Sequence, residues 1–511
     1  MPEKHDSTRD AAPEGLRRKV LHGGTFLVVR QGLGIVINTI GLLLLLWAIG
    51  AANYGLYMAA IAFYLYFFQL AQCGINVYLI RRKQPLEPVD YHQAFTLLLL
   101  IGVGMAGASL LGLPALSWWV DMEGFAPVAM VLFLGLPLAL VNMVPSAQLE
   151  RALDYRRVAM LEFAGQLIYQ AVTLSLAFSG WGPFSPLAGW WAQHVFCCVA
   201  LHAASGYRPR LHWQWSRIRE MCGYGLGFSS SMWIWHLRNV VNPLVIGPTL
   251  GAAAVGQVAL ANRLADLLSF VKEVAWRMSI SSLAHVQNDL KRMAAALNEG
   301  MRLQVLAVGP LLAGFGLLGP IVVDWLPAET AAEWTPAVEI YPFIAASYLM
   351  HALFSLQISG LYALRHNWAV TLFHAANLIC FAGVAWLLTP HLGLMGFGWA
   401  ELSALGTYFM IYVYTARRIG VLHYTLPLVW TVAFGLVSFW PMIGPAAGLG
   451  LVVAAVWPGT WQALFRYGRR FRQIAAKRWS AWGRPPGGAM ESEAATGMAI
   501  DAELSAGGSE P

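Results

Sequence analysis

Apolar stretches long enough for one helical crossing of a bilayer, about 20 residues, recur along this chain with short polar connections between them. They lie near 21–49, 54–81, 92–119, 126–149, 156–179 and 186–206. After a basic stretch at 207–220 they resume near 221–248, 253–283, 298–324, 335–364, 368–389 and 393–416, and two more fill 423–440 and 443–465. The pattern predicts about 14 transmembrane helices. Every second connection is basic: Arg17, Arg18 and Lys19; Arg81, Arg82 and Lys83; Arg151, Arg156 and Arg157; Arg208 to Arg219; Lys291 and Arg292; Arg365; Arg417 and Arg418; and the run from Arg466 to Arg472. The connections between them are neutral or acidic, with Asp121 and Glu123 in one and Asp324, Glu329 and Glu333 in another. Lys and Arg collect in cytoplasmic loops, so both termini are expected in the cytoplasm.

The second series of segments repeats the first. Gly251, Ala252, Ala253, Ala254, Val255 and Gly256 follow the pattern of Gly50, Ala51, Ala52, Asn53, Tyr54 and Gly55. The same offset of about 200 residues brings Gly24 onto Gly225, Asn38 onto Asn239 and Ala60 onto Ala261. Further on, Ala152 with Ala164, Gln166 and Leu167 matches Ala363 with Ala375, Asn377 and Leu378, and Trp191-Ala192-Gln193 matches Trp399-Ala400-Glu401. Six helices per copy is an even number, so the copies share one orientation and are related by an axis along the membrane normal. The expected architecture is an all-α integral membrane protein: a cytoplasmic N-terminus (1–19), an N-lobe of six helices (20–206), a basic cytoplasmic linker (207–220), a C-lobe of six helices (221–417), two additional helices (418–465), and a basic then disordered tail (466–511).

Composition agrees: of 511 residues 58% are hydrophobic and 12% charged, and the mean hydropathy is +0.56. A soluble chain of this length carries about twice that charge. The net charge of +7 is split into short clusters between apolar runs, which fits membrane loops rather than a nucleic-acid surface. Cys73, Cys197, Cys198, Cys222 and Cys380 show no metal-ligand spacing and read as small core residues. The stretch from Arg466 to Lys477, interleaved with Phe471, reads either as a basic flank or as an amphipathic segment on anionic lipid.

Three stretches resemble the polysaccharide flippase branch of the multidrug/oligosaccharidyl-lipid/polysaccharide (MOP) exporter superfamily: Gly50 with Tyr54 and Gly55; Pro145 with Leu149, Glu150, Arg151, Leu153, Tyr155, Arg156, Arg157 and Glu162; and Val255 and Gly256 with Ala261, Arg263 and Leu264. With the repeat, the likeness covers about residues 15–465. Ala51, Ala52 and Asn53 depart from it, since the family tends to carry proline and an acidic residue there. The resemblance implies two lobes around a cavity that opens alternately to each side of a bacterial inner membrane. It also implies a cargo of oligosaccharide on a polyprenyl pyrophosphate, for O-antigen, exopolysaccharide or capsule synthesis, with a polymerase or glycosyltransferases as partners.

Moving such a cargo breaks no covalent bond, so no catalytic residue, metal or cofactor is expected. The task requires cations for the pyrophosphate and polar groups for sugar. A guanidinium binds two phosphate oxygens at once, which makes Arg30, Arg238, Arg263 and Arg277 the substrate-binding candidates. A mid-bilayer Arg costs about 2.5–3.5 kcal/mol, so four facing lipid would cost on the order of 10 kcal/mol. They are expected to face an interior, although Arg30 and Arg277 also suit snorkelling to the headgroups. In the second copy Arg263, Asp266, Phe270, Glu273 and Arg277 follow helical spacing. The spacing permits Asp266 to pair with Arg263 and Glu273 with Arg277; the carboxylates either serve structure or exchange H+ or Na+ to drive the cycle. Glu162 and Glu401 are further ion-coupling candidates. In the first copy Gln69, Gln72 and Asn76 make the matching stripe, suited to sugar hydroxyls or to helix contacts. His194, His351 and His374 read as packed or cavity-lining groups.

Three other functions are weighed. A cation-coupled drug exporter would favour acidic and aromatic pockets, and a flippase for the peptidoglycan precursor would share the fold. A membrane-embedded polymerase or ligase would need a large outward domain, and the longest acidic connection spans only about 324–334.

Overall fold

The computed structural model describes residues 14–81, 86–152, 154–272, 275, 276, 279, 283 and 286–482, with side chains from residue 34 onward apart from short stretches such as 224–230. Among the described residues every regular element is helical. The chain divides into two compact units, Met1–Gly450 and Leu451–Pro511; the first holds both halves of the predicted repeat.

Its helices are α1 (Glu14–Gln72), α2 (Ile75–Arg81), α3 (Pro88–Val120), α4 (Phe125–Phe133), α5 (Leu136–Val141), α6 (Met143–Arg151), α7 (Tyr155–Phe178), α8 (Phe184–Ser205), α9 (Trp215–Leu237) and α10 (Val241–Leu268). They continue as α11 (Leu290–Asp324), α12 (Ala328–Ala363), α13 (Asn367–Leu392), α14 (Leu394–Ala404), α15 (Tyr408–Arg418) and α16 (Thr425–Ser438). After α17 (Trp440–Ile443) come α18 (Leu449–Val456) and α19 (Thr460–Trp482).

Seven stretches among the described residues are long and apolar enough to cross a membrane, or up to eight if α16 and the bent helix after it form one span. The protein is a multi-pass membrane protein. That number sits below the roughly 14 segments of the hydrophobic pattern for two physical reasons. Predicted segments that meet at a glycine kink, on either side of Gly50 in α1 and of Gly251 in α10, run together as one stretch; and α7 and α8, at 24 and 22 residues, carry Arg, Glu, Gln and His that dilute their hydropathy.

Gly50 interrupts α1 at φ 73°, ψ 172°, and Gly251 interrupts α10 at φ 81°, ψ −177°. The two glycines hold equivalent places in the sequence repeat, and only glycine adopts this conformation without strain. After each turn the helices cross backbone to backbone: Gly55 faces the Ala252 carbonyl, and Gly256 faces the Ala51 carbonyl and the Gly55 backbone.

Several of the basic connections gather around buried clusters. In the first half, Ile75, Tyr78 and Leu79 of α2, Val144 and Ala147 of α6, Tyr207, and Ile218 and Met221 of α9 form one cluster. It gathers the basic connections around 81, 151 and 207–220. There the Arg151 guanidinium donates to the Leu79 carbonyl at 2.9 Å, and Arg217 bridges Asp90 at 2.6 Å and Glu87 at 3.0 Å. In the second half Met293, Leu297, Ala363, Ile419 and Leu422 gather the connections around 291, 365 and 417.

The opposite end is joined across the halves. Trp119 Nε1 donates to the Leu244 carbonyl at 3.1 Å, and its ring lies 5.7 Å from that of Trp386. The Ala51 N–H, at the start of the helix that follows Gly50, donates to the Glu333 carboxylate of α12 at 2.5 Å. Gln257 donates to the Glu333 carbonyl at 2.7 Å, and Trp334 packs edge-on against Tyr54. A carboxylate on a helix N-terminus satisfies an orphan N–H and the macrodipole together.

One of the expected stripes is broken. Cys73 and Gly74 take φ of 43° and 70° between α1 and α2, so Asn76 does not continue the face of Gln69 and Gln72. Helix α10 ends at Leu268 with Ser269 as its cap; Phe270 follows in helical conformation, and Glu273 and Arg277 lie outside the described residues.

Candidate functional site

Charged residues inside the second half form one connected group. Arg238 sits where α9 tightens into a single 3-10 turn before α10. Its Nη2 donates to Glu401 Oε2 at 2.5 Å, with the side chains 16% and 5% exposed, and its guanidinium carbon lies 4.3 Å from the Phe381 ring centroid. The Arg238 Nε is buried without a hydrogen-bond partner. Arg238, read as a phosphate ligand, and Glu401, read as an ion-coupling group, are thus partners of each other.

Beside this pair the Tyr348 hydroxyl donates to Asp266 Oδ1 at 2.6 Å, and Lys272 Nζ lies 4.3 Å from the Tyr348 ring centroid. Tyr348 packs in the same core cluster as Phe381, the ring under Arg238, which places the two charge groups side by side. Asp266 is held by a residue of α12; among the described residues no ion pair joins it to Arg263, the partner its spacing suggested. The Trp235 ring stacks on His351 at 4.9 Å and tilts against His374 at 5.0 Å. His351 Nδ1 shares a hydrogen bond with the Tyr408 hydroxyl at 3.2 Å, and the buried His374 Nδ1 has no partner. Sequence reasoning left these two histidines scattered. The signal that unites them, a tryptophan three residues before Arg238, is visible only in hindsight.

Arg263 points elsewhere. It is exposed on α10 and lies within electrostatic reach of Tyr54, Tyr57 and Tyr169, all from the first half. It therefore stands where the halves meet. Tyr54 and Tyr57 are buried in the core, so the group offered here to a phosphate is the exposed guanidinium itself.

The remaining candidates are dispersed. Gln69 accepts the Trp233 indole N–H on its backbone carbonyl at 3.1 Å, and the half-buried Gln72 lies one turn on. Glu162 lies in α7 near Cys197, away from the second-half charges. On the same helix Gln166 and Gln170 tie to Gly34 and Asn38 of α1. Arg30 lies in α1 with its side chain outside the described residues; Glu273 and Arg277 lie outside them altogether. No group of three His, Cys, Asp or Glu side chains with metal-binding geometry occurs among the described residues.

A helical membrane protein whose two halves cross at matched glycine turns, with charges inside one half and at the junction, has a transporter fold. The chain belongs to the polysaccharide biosynthesis protein family, which it matches over residues 48–339. The succinoglycan biosynthesis transport protein ExoT of Rhizobium meliloti (strain 1021) is 22% identical over 258 residues, 50% of this chain and 52% of that protein; the match thus spans about half of that relative's length. Among solved structures, the inward closed conformation of the lipid II flippase MurJ superposes with a TM-score of 0.60 at 12% identity, covering 85% of this chain and 99% of that one. An inward-facing multidrug resistance MATE transporter of the MOP superfamily gives 0.61 at 13% identity, covering 77% and 98%. These likenesses establish the MOP fold. ExoT, MurJ and the MATE protein are each named as transporters or flippases.

Proposed function

We propose that the protein is a flippase that carries a polyprenyl-pyrophosphate-linked oligosaccharide from the cytoplasmic to the outer leaflet of a bacterial inner membrane. The observation that carries this reading is Arg263, an exposed cation on α10, the helix that crosses α1 where the halves meet. In this reading Arg263 holds the pyrophosphate, and the prenyl tail stays in lipid. The basic ends face the cytoplasm with both termini, and the end joined through Glu333 and the glycine turns faces outward. Opening then alternates between the two ends. Family membership sets a polysaccharide cargo ahead of a drug or a peptidoglycan precursor.

Arg263→Ala is expected to abolish complementation of a flippase-deficient strain while the protein still inserts, and Arg263→Lys to retain partial activity because a point charge replaces a two-pronged donor. Full complementation by Arg263→Ala would exclude this role.

Asp266, tied to Tyr348 beside Lys272, is the coupling group in this reading, taking H+ or Na+. A hydrogen bond to a charged group contributes about 1.5–3 kcal/mol. Tyr348→Phe keeps the ring under Lys272 and removes the donor. Flipping driven by an imposed proton or sodium gradient in proteoliposomes should fall by about tenfold or more, with gradient-independent flipping unchanged. An unaltered gradient response would remove Asp266 from the coupling step.

A further inference from the structure

Helix α19, Thr460–Trp482, is unlike every helix before it. Its 23 residues carry six cations, Arg466, Arg469, Arg470, Arg472, Lys477 and Arg478, and no acidic residue. At 100° per residue, Leu464, Tyr467, Phe471 and Ile474 fall on one side, and Arg466, Arg469, Arg470 and Lys477 on the other, with Arg472 at the margin and Arg478, in the last turn, on the apolar side. Six charges bar the helix from the hydrocarbon, since each costs about 2.5–3.5 kcal/mol at mid-bilayer. A helix with an apolar stripe and a dense basic face lies in the plane of an interface instead.

Its place in the chain supplies the interface. The apolar helix α18 ends at Val456, and only Trp457, Pro458 and Gly459 separate it from α19. Gly459 makes the turn at φ 86°. The Trp461 indole N–H then donates to the Ala455 carbonyl at 2.8 Å, pinning the start of α19 to the end of the apolar segment. Trp461 and Phe465 form an aromatic pair with rings 6.2 Å apart, 56% and 63% exposed. Exposed rings at the foot of an apolar helix are headgroup-level anchors. Arg466, Arg469 and Arg472 are also exposed.

We propose that α19 is an interfacial helix whose cationic face binds the anionic headgroups of the phospholipid bilayer. The occupant follows from charge: a face of one sign, with no carboxylate on the helix itself, held at the membrane edge by the residues before it. The helix fixes the carboxyl-terminal unit on the leaflet with the higher anionic charge. This inference does not depend on the transport reading, because its test measures no transport.

The test uses the full-length protein in nanodiscs of phosphatidylcholine alone or with phosphatidylglycerol, and follows amide hydrogen exchange over 460–482. Exchange should be slower in the anionic discs, and high salt should reverse the difference. Each surface cation contributes about fivefold, so the variant R466Q/R469Q/R472Q should lose roughly a hundredfold of the anionic-lipid protection. Glutamine is a good helix former, and an unchanged helical signature in that variant separates lost lipid binding from lost folding. Equal protection in neutral and anionic discs would mean that protein or neutral lipid covers the helix, and would overturn the proposal. So would protection that persists in the triple variant.

Discussion

Arg238→Ala should destabilise the protein by about 3–5 kcal/mol and eliminate transport, the largest effect expected of any single substitution considered. The Glu401 carboxylate, 5% exposed, would lose its counter-charge in a region with no water to replace it. Attraction in a buried pair roughly offsets the cost of dehydrating both ions, so the pair adds little net stability. Removing one partner forfeits the attraction and leaves the dehydration. Glu401→Ala should do similar harm, since the stranded guanidinium already has one unsatisfied nitrogen. A double change, Arg238→Met with Glu401→Leu, removes both charges and should recover thermal stability to near the parent level. Transport should not recover if the pair parts during the cycle. Thermal unfolding in detergent and complementation, measured on all three variants, check this. Recovery of both properties would reduce the pair to a structural element.

The second large effect concerns the crossing of α1 and α10. In an ordinary helix, replacing glycine favours the helix by up to about 1 kcal/mol. At Gly256 the new Cβ would meet the Ala51 carbonyl and the Gly55 backbone, which cannot rotate aside as a side chain would. Overpacking of this kind costs about 1–3 kcal/mol or more, and it falls on the joined state alone. Gly256→Val should therefore fold and insert, yet hold the halves apart at this end and reduce transport at least tenfold. Cysteines introduced at Trp119 and Trp386 report the distance, because those rings lie 5.7 Å apart when the end is joined. Their cross-link should form in the parent and be lost with Gly256→Val. Cross-linking and transport at parental levels would show that the crossing tolerates a side chain. Glu333→Ala, which removes only the carboxylate from the Ala51 N–H, should shift the same cross-link in the same direction by less.

Most of the scaffold was legible in the sequence because it is written in local composition. The glycine turns at Gly50 and Gly251 were visible as repeated small residues, and both adopt the positive φ that glycine permits. Basic connections were visible as short charge runs between apolar segments, and those around 81, 151 and 207–220 gather about one buried cluster. The charged site was legible only in part. Residue spacing tells which side chains share a helix face but not what that face meets. Asp266 was matched to Arg263 three residues away, whereas its partner Tyr348 is 82 positions distant. The Arg238–Glu401 pair spans 163 positions, so no window of helical periodicity contains both. The stripe through Asn76 failed for a related reason: Cys73, a residue without special turn propensity, adopts φ 43° next to Gly74. Tertiary packing imposes that break, and periodicity does not announce it.

The seam at the glycine crossing is made of main chain against main chain, with carbonyls and Cα atoms as its facing surfaces. Its fit is thus indifferent to which side chains line the interior a few turns away. A change at Arg263 therefore leaves the main-chain contacts of the seam in place, so the charge inside and the closure of this end can be varied separately.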